Sequence, residues 1–261
     1  MAGRSTLRVT RMTQIQEMLA GGEAVTVGEL TALLGVSEAT VRRDLEALQE
    51  SGLVQRTYGG AIPVAAGLRE RPFPERSSVQ VAQKRAIAAE AASMVLPGQT
   101  VFIGGGSTTL RLAEQLREVP LTVVTNSLPV ARELSRSLQS HVIVIGGTLR
   151  RAELTMIGPR AVEAIRTYRA GLAFLGVPAL DSEHGFTADG DAEAATDAAF
   201  IGMAQRTVIL ADHSKLGRVS TTHVVPLSAI DTIVTDSGAA PDVLAELVSA
   251  GTQVVVAEVD R

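Results

Sequence analysis

At 261 residues, 46% of them hydrophobic, the chain can hold a small domain of about 60 residues and one of about 180. It has no cysteine, so disulfides and thiolate metal sites are excluded, and a formal net charge of −4 argues against a protein that coats nucleic acid through bulk positive charge. The opening MAGRSTLRVTRMTQ lacks the apolar run of a signal peptide, and no stretch of about 18 apolar residues offers to span a membrane, so a reducing cytoplasm is the expected setting.

Thr26 and Glu29 form a Thr-x-x-Glu capping box, which predicts a helix to about Leu34. Gly35 ends it, since glycine accepts the left-handed conformation of a helix C-terminus. Ser37 can N-cap a second helix, with Glu38 in its first turn suiting the positive end of the dipole. In this helix Val41, Leu45 and Leu48 stand at i, i+4 and i+7, an inward apolar stripe. At about 100° per residue Arg43 lies almost opposite that stripe, Ala39 beside it, and Thr40 and Arg42 on the flanks.

Leu53 to Arg56 then reads as a short strand and Tyr58-Gly59-Gly60 as a tight turn, a wing that brings Arg56 near a phosphate. Residues 1–62 thus have the layout of a winged helix-turn-helix, whose second helix enters the major groove of double-stranded DNA. Ser37, Ala39, Thr40, Arg42, Arg43 and Arg56 are its candidate DNA contacts, arginine being able to grip guanine or phosphate with two parallel hydrogen bonds. Two arginines on a helix are more often a solvated face. The core stripe behind them and the tight glycine turn before them favour DNA. This region holds six Arg (4, 8, 11, 42, 43, 56) against seven acids (17, 23, 29, 38, 44, 46, 50), a net of −1. Affinity must therefore come from local arrangement, which suits a site-specific regulator.

Residues 63–77, with Pro63, Pro72 and Pro74, read as a linker. Over 78–261 helical and strand patterns alternate. Helices are expected at 79–95, 110–116, 130–138, 192–204 and 241–250. Strands are expected at 99–103, 121–125, 141–145, 172–175, 208–210, 230–235 and 254–256. Apolar strands alternating with helices predict an α/β domain with a mostly parallel sheet covered on both faces. Ligands in such sheets bind beyond the carboxyl ends of the strands.

Four strand patterns end in small polar or glycine residues that can line one crevice. They are Gly104-Gly105-Gly106-Ser107-Thr108-Thr109, Thr125-Asn126-Ser127, Gly146-Gly147 and Asp212-His213-Ser214-Lys215. The first resembles a phosphate cradle: glycines admit an anion to the backbone, hydroxyls donate, and the next helix offers free amides. It matches neither G-x-x-x-x-G-K-[ST] nor G-x-G-x-x-G, so no nucleotide cofactor is expected. Of 24 basic residues only two are lysine. Lys215 reads as a place where a compact ammonium is needed, Lys84 as a chance survivor on the surface. The four histidines show no metal spacing, and no Gly-x-Ser-x-Gly elbow appears, so neither a metal nor a catalytic residue is assigned.

These segments together resemble the DeoR family of bacterial transcriptional regulators over nearly the whole chain. The helix-turn-helix match is Val36-Ser37 through Asp44-Leu45, followed by Arg56-Thr-Tyr-Gly59-Gly60-Ala61. The sensor match runs through Arg76, Lys84-Arg-Ala-Ile-Ala, Gly105 to Thr109, Thr125-Asn126-Ser127, Gly146-Gly147, Phe174-Leu175-Gly176, Asp212-His-Ser214-Lys215 and Thr235-Asp236. The resemblance implies a sensor domain like ribose-5-phosphate isomerase and CoA transferases, binding a phosphorylated sugar or related metabolite, in a repressor of sugar catabolism. The chain departs from the family pattern at Gly171, where an acid is common, and at Asp197, where a basic residue is common; either change is expected to bear on the effector.

The reading is a repressor released from operator DNA by a phosphorylated sugar, working as a homodimer or homotetramer because one winged helix covers few base pairs. The alternative is a sugar-phosphate isomerase-like enzyme carrying a DNA-binding domain. An isomerase needs a base over the sugar carbon, and paired acids near the glycine turns are missing.

Overall fold

The computed structural model describes residues 11–12, 14–15, 18, 25–50, 54–57, 60–63 and 72–259. The chain divides into two compact units, Met1–Glu70 and Arg71–Arg261.

In the first unit β1 (Val25–Thr26) leads into α1 (Val27–Leu34), then α2 (Glu38–Glu50), β2 (Val54–Thr57) and β3 (Gly60–Pro63). The capping box at Thr26 is formed: the Glu29 amide donates to the Thr26 hydroxyl at 3.2 Å, and the Thr26 amide to the Glu29 carboxylate at 2.7 Å. Gly35 closes α1 in the left-handed region, φ 63°, its amide donating to the Thr31 carbonyl. Val41, Leu45 and Leu48 are fully buried, packed with Ile15, Val27 and Leu30. β2 and β3 pair antiparallel, and β1 adds to the far side of β3. Gly60, expected within the turn, instead begins β3 opposite Thr26, where an added Cβ would stand 2.2 Å from the Val25 carbonyl oxygen. Leu53, Tyr58 and Gly59 of the expected wing lie outside the described residues.

The second unit opens with α3 (Phe73–Ser77), where the sequence reading had irregular linker. Pro72 holds φ at −52° at the N-cap, and Phe73 is buried, so tertiary packing overrides the proline-rich composition. There follow α4 (Val81–Ser93), β4 (Thr100–Ile103), α5 (Ser107–Gln115), β5 (Thr122–Thr125), α6 (Leu128–Leu134) and β6 (His141–Val144). A hairpin, β7 (Thr148–Arg150) and β8 (Thr155–Ile157), leads to α7 (Pro159–Ile165) and β9 (Ala170–Gly176). Next come β10 (Ala179–Asp181), β11 (Gly185–Ala188), α8 (Asp191–Met203), β12 (Ala204–Leu210) and β13 (Thr222–Val225). β14 (Thr232–Asp236), α9 (Pro241–Ser249) and β15 (Gln253–Ala257) complete the unit.

Seven strands form one parallel sheet in the order β15-β14-β12-β9-β4-β5-β6. Strand residues alternate between two cores. Phe102, Val124, Ala173, Leu175 and Ile209 face α7 and α8, while Val101, Ile103, Val123, Phe174 and Val208 face α4, α5 and α6. Phe102 meets Phe200 of α8 with ring centroids 5.3 Å apart. The order reverses between β4 and β9: from β4 the chain runs outward to β6, from β9 outward to β15. In open parallel sheets such a switch point is where ligands bind, beyond the carboxyl ends of the two central strands.

The hairpin, α7 and the small antiparallel sheet β10-β11-β13 were not anticipated. Their strands are three or four residues long and lack a clean alternation to read. Among the described residues no helix is long and apolar enough to cross a membrane, and no group of three His or acidic side chains is placed to hold a metal.

Candidate functional site

In the first unit the candidate reading surface is the outer face of α2. The Ser37 carbonyl and hydroxyl take the amides of Val41 and Thr40, starting the helix where expected. Ala39, Arg42 and Arg43 are exposed and Thr40 half-buried, on the side away from the stripe. The Arg42 guanidinium stands 3.5 Å from Glu38 one turn earlier, an exposed pair of small energetic weight that DNA phosphate can displace. Arg56 has its backbone in β2, paired with Ala61.

Asp44, counted in the sequence only as a charge, is buried and paired with the Arg11 Nε. It follows Val41 by three residues and so flanks the core stripe, which is the signal that marks it as structural. The pair ties Arg11, ahead of β1, to α2.

In the second unit Gly104-Gly105-Gly106 passes from β4 into α5 at the switch point. Gly106, the N-cap, has φ 140° and no side chain to occupy the first-turn amides, so the N-terminus of α5 keeps its positive field and free donors. The backbone is crowded on both sides of the switch: a Cβ on Gly176, at the end of β9, would stand 3.3 Å from the Gly105 carbonyl oxygen. Ser107 and Thr108 are buried in the first turn of α5. Thr109 is buried too, but its hydroxyl donates to the Gly106 carbonyl at 3.0 Å and fixes the turn rather than offering a free donor.

The other strand ends carry more structural work than the sequence suggested. Thr125 Oγ1 accepts the Ser127 amide, and Ser127 Oγ accepts the Val130 amide as N-cap of α6. Asn126 donates Nδ2 to the Met156 carbonyl, leaving its buried Oδ1 without a hydrogen-bond partner among the described residues. Gly147 lets β8 cross closely, since a Cβ there would stand 2.8 Å from the Ile157 carbonyl oxygen. Gly146 has open space around its Cα. Asp212 caps a turn of 3-10 helix, accepting the Ser214 amide and hydroxyl, and Lys215 closes it through its amide to the Asp212 carbonyl. His213 gives Nδ1 to Asp236 at 2.7 Å.

Lys84 corrects the surface reading. It lies in the first turn of α4, only 5% exposed, and its Nζ donates to the carbonyls of Arg76 at 2.7 Å and Val79 at 2.8 Å. Burial pushes its ammonium below the ordinary lysine value, Asp212 pulls it back up, and Arg76, Lys215 and Arg111 push it further down. The two lysines therefore share one electrostatic neighbourhood with Asp212 at the crevice. Helices antiparallel to a parallel sheet start at its carboxyl edge, which is why residue 84 returns there; no local pattern signals it.

A hollow of about 220 Å³ lies beside the start of α8, lined by Arg150, Ile157 and residues 189–193. Arg150 pairs there with Glu193, while its Nη2 stands 3.8 Å from Asp189.

The family model of the DeoR-like helix-turn-helix domain matches residues 11–65, and that of the DeoR C-terminal sensor domain residues 79–237. The chain belongs to the DeoR family. It is a DNA-binding transcriptional regulator rather than an enzyme. Relatives include the HTH-type transcriptional regulator GlpR of Haloferax volcanii, 36% identical over 95% of this chain and 98% of that protein. The transcriptional repressor AccR of Agrobacterium fabrum is 32% identical over 87% of this chain and 89% of its own. The HTH-type transcriptional repressor GlcR of Bacillus subtilis is 31% identical, covering 87% of each. Among solved structures, ribose 5-phosphate isomerase A from Neisseria gonorrhoeae aligns over 51% of this chain and 52% of its own, with TM-score 0.38 and 18% identity.

The two departures of this DeoR-family chain fall in different places. Gly171 sits near the start of β9, beside the Thr100 carbonyl, about 16 Å along the strand from Gly176. It is at the amino end of β9, whereas Gly176 is at the carboxyl end. Asp197 lies one turn below Glu193 on the same face of α8.

Proposed function

We propose that this DeoR-family regulator is a repressor, released from operator DNA when a phosphorylated sugar or related anionic metabolite binds at the switch point between β4 and β9. The observation that carries the reading is the uncapped N-terminus of α5 at that point, with Lys215 in the turn that follows β12 on the same carboxyl edge of the sheet. A helix N-terminus with the Lys215 ammonium stabilises a phosphate far better than a neutral hydroxyl. In this reading Gly104 to Thr108 form the cradle, Lys215 neutralises the anion, and Thr125 to Ser127, Gly146-Gly147 and Asp212 hold the wall. The repressor names of AccR and GlcR support the direction of control.

Operator binding titrated with a panel of phosphorylated pentoses and hexoses, each beside its free sugar, tests the site. One phosphate ester is expected to release the DNA while its free sugar is inert. Thr108→Val and Lys215→Ala are expected to raise the concentration needed. Effector and DNA must oppose each other reciprocally, typically by about 5- to 150-fold in affinity. Release by the free sugar, or undiminished release in both variants, overturns the proposal.

The working form is a cytoplasmic homodimer or homotetramer. One reading helix with acidic surroundings has little background affinity, whereas linked heads raise effective concentration on repeated half-sites. Sedimentation of the DNA complex is expected to give an even number of chains. A single chain bound to one half-site at full affinity rules this out.

A further inference from the structure

The chain enters the sensor domain through Pro72–Gln80, and the bonds holding this stretch run to elements of the crevice. Its Phe73 amide donates to the Ala152 carbonyl at 2.8 Å, and Arg76 pairs with the buried Glu153 carboxylate. Ala152 and Glu153 form the turn of the β7–β8 hairpin. Thr155 of that hairpin lies so close over the cradle that a Cβ on Gly105 would stand 2.2 Å from its methyl group. Two further backbone bonds join the hairpin to the end of β5 and the start of α6, Leu128 N to Leu154 O at 3.0 Å and Met156 N to Asn126 O at 2.8 Å. The carbonyl of Ser77 accepts from Arg111, one turn along α5 from Thr108. The carbonyls of Arg76 and Val79 accept from Lys84. The stretch ends at Gln80, whose φ of 53° is left-handed, an uncommon state for a residue with a side chain.

We propose that Lys84 and Arg76 are positioning residues that transmit occupancy of the crevice to the entering stretch Pro72–Gln80, Lys84 through its two carbonyls and Arg76 through Glu153 on the hairpin. This rests on the reading of the crevice as the effector site. An ammonium has three donors, and Lys84 commits two of them to carbonyls of the entering stretch. An anion at the start of α5 adds a negative charge to the field Lys84 shares with Asp212 and Lys215, so its ammonium is drawn toward the crevice and its grip on those carbonyls changes. A ligand wedged under the hairpin moves Glu153, and the charge-assisted pair obliges Arg76 to follow. Both routes act on the same nine residues, the stretch that continues from the DNA-binding unit.

Hydrogen exchange of the full chain tests this, with inorganic phosphate as probe against chloride at equal ionic strength. In wild type the amides of Gly106 to Thr108 gain protection, reporting occupancy, and those of Phe73 to Gln80 change in rate. In Lys84→Met the amides of Gly106 to Thr108 are still protected at saturating phosphate, while the response of the entering stretch falls at least about fivefold, the lower end of ordinary coupling. Lys84→Arg, which keeps charge and donors, restores part of it. Glu153→Gln, which keeps an acceptor for Arg76 and tests the hairpin route if Lys84→Met fails to fold, reduces the response without abolishing occupancy. Protection at Gly106 to Thr108 with no change at Phe73 to Gln80 in wild type overturns the coupling alone, as does an undiminished change in both Lys84→Met and Glu153→Gln. Absence of protection at Gly106 to Thr108 in wild type overturns the effector-site reading, and the coupling with it.

Discussion

Replacing Arg43 by alanine is expected to weaken operator binding by about 1–3 kcal/mol per reading head and to relax preference at one base pair, as loss of a two-pronged base contact does. Arg43 is exposed and stands opposite Val41, Leu45 and Leu48, all fully buried, so the core behind the helix aims it outward. Arg42, beside Glu38, is expected to act on phosphate. Arg42→Ala should weaken all sequences alike and make the salt dependence shallower by roughly one counterion. Binding of both variants to operator and to scrambled DNA across a salt series separates the two roles. Wild-type affinity in both would show that the outer face of α2 is not the reading surface.

Leu45→Ala is expected to have the larger structural effect. Leu45 is fully buried in the core shared by α1, α2 and β3, and its truncation should cost about 2–5 kcal/mol. A domain of about 60 residues has little more than that to lose, so the DNA-binding unit should be largely unfolded at physiological temperature. The sheet of the second unit has its own two cores and is expected to keep its melting transition. Calorimetry of the full chain should show the change confined to the first unit, and operator binding should vanish. An unchanged melt with intact DNA binding would mean that the stripe is not what holds the helix.

Sequence was informative wherever the determinant is local. The capping box at Thr26, the left-handed Gly35 and the stripe Val41-Leu45-Leu48 each lie within a few residues, because a helix repeats every 3.6 residues and its caps use the nearest side chains. The parallel sheet was legible because strands buried on both faces read as continuous apolar runs. The strand-end loops could be marked for the same reason: a loop's position follows once the strand before it is known.

What escaped the sequence depends on residues far apart in the chain. Arg76 meets Glu153, Lys84 shares a field with Asp212 and Lys215, and Arg11 meets Asp44, in each case because two elements dock. No local pattern ranks such pairs, since a charged residue on a helix looks the same whether it is solvated or buried with a partner. The hydroxyls of Thr109, Thr125 and Ser127 read as part of a ligand crevice, and the tertiary structure also gives each a local role: Thr109 donates to the Gly106 carbonyl, while Thr125 and Ser127 accept backbone amides. Thus the sequence by itself determined the capped helix, the buried stripe of α2 and the family. Only the tertiary structure decided the switch point between β4 and β9, the burial of Lys84 and the hairpin over Gly105, because strand order and hairpin docking are set by packing between elements that the chain keeps far apart.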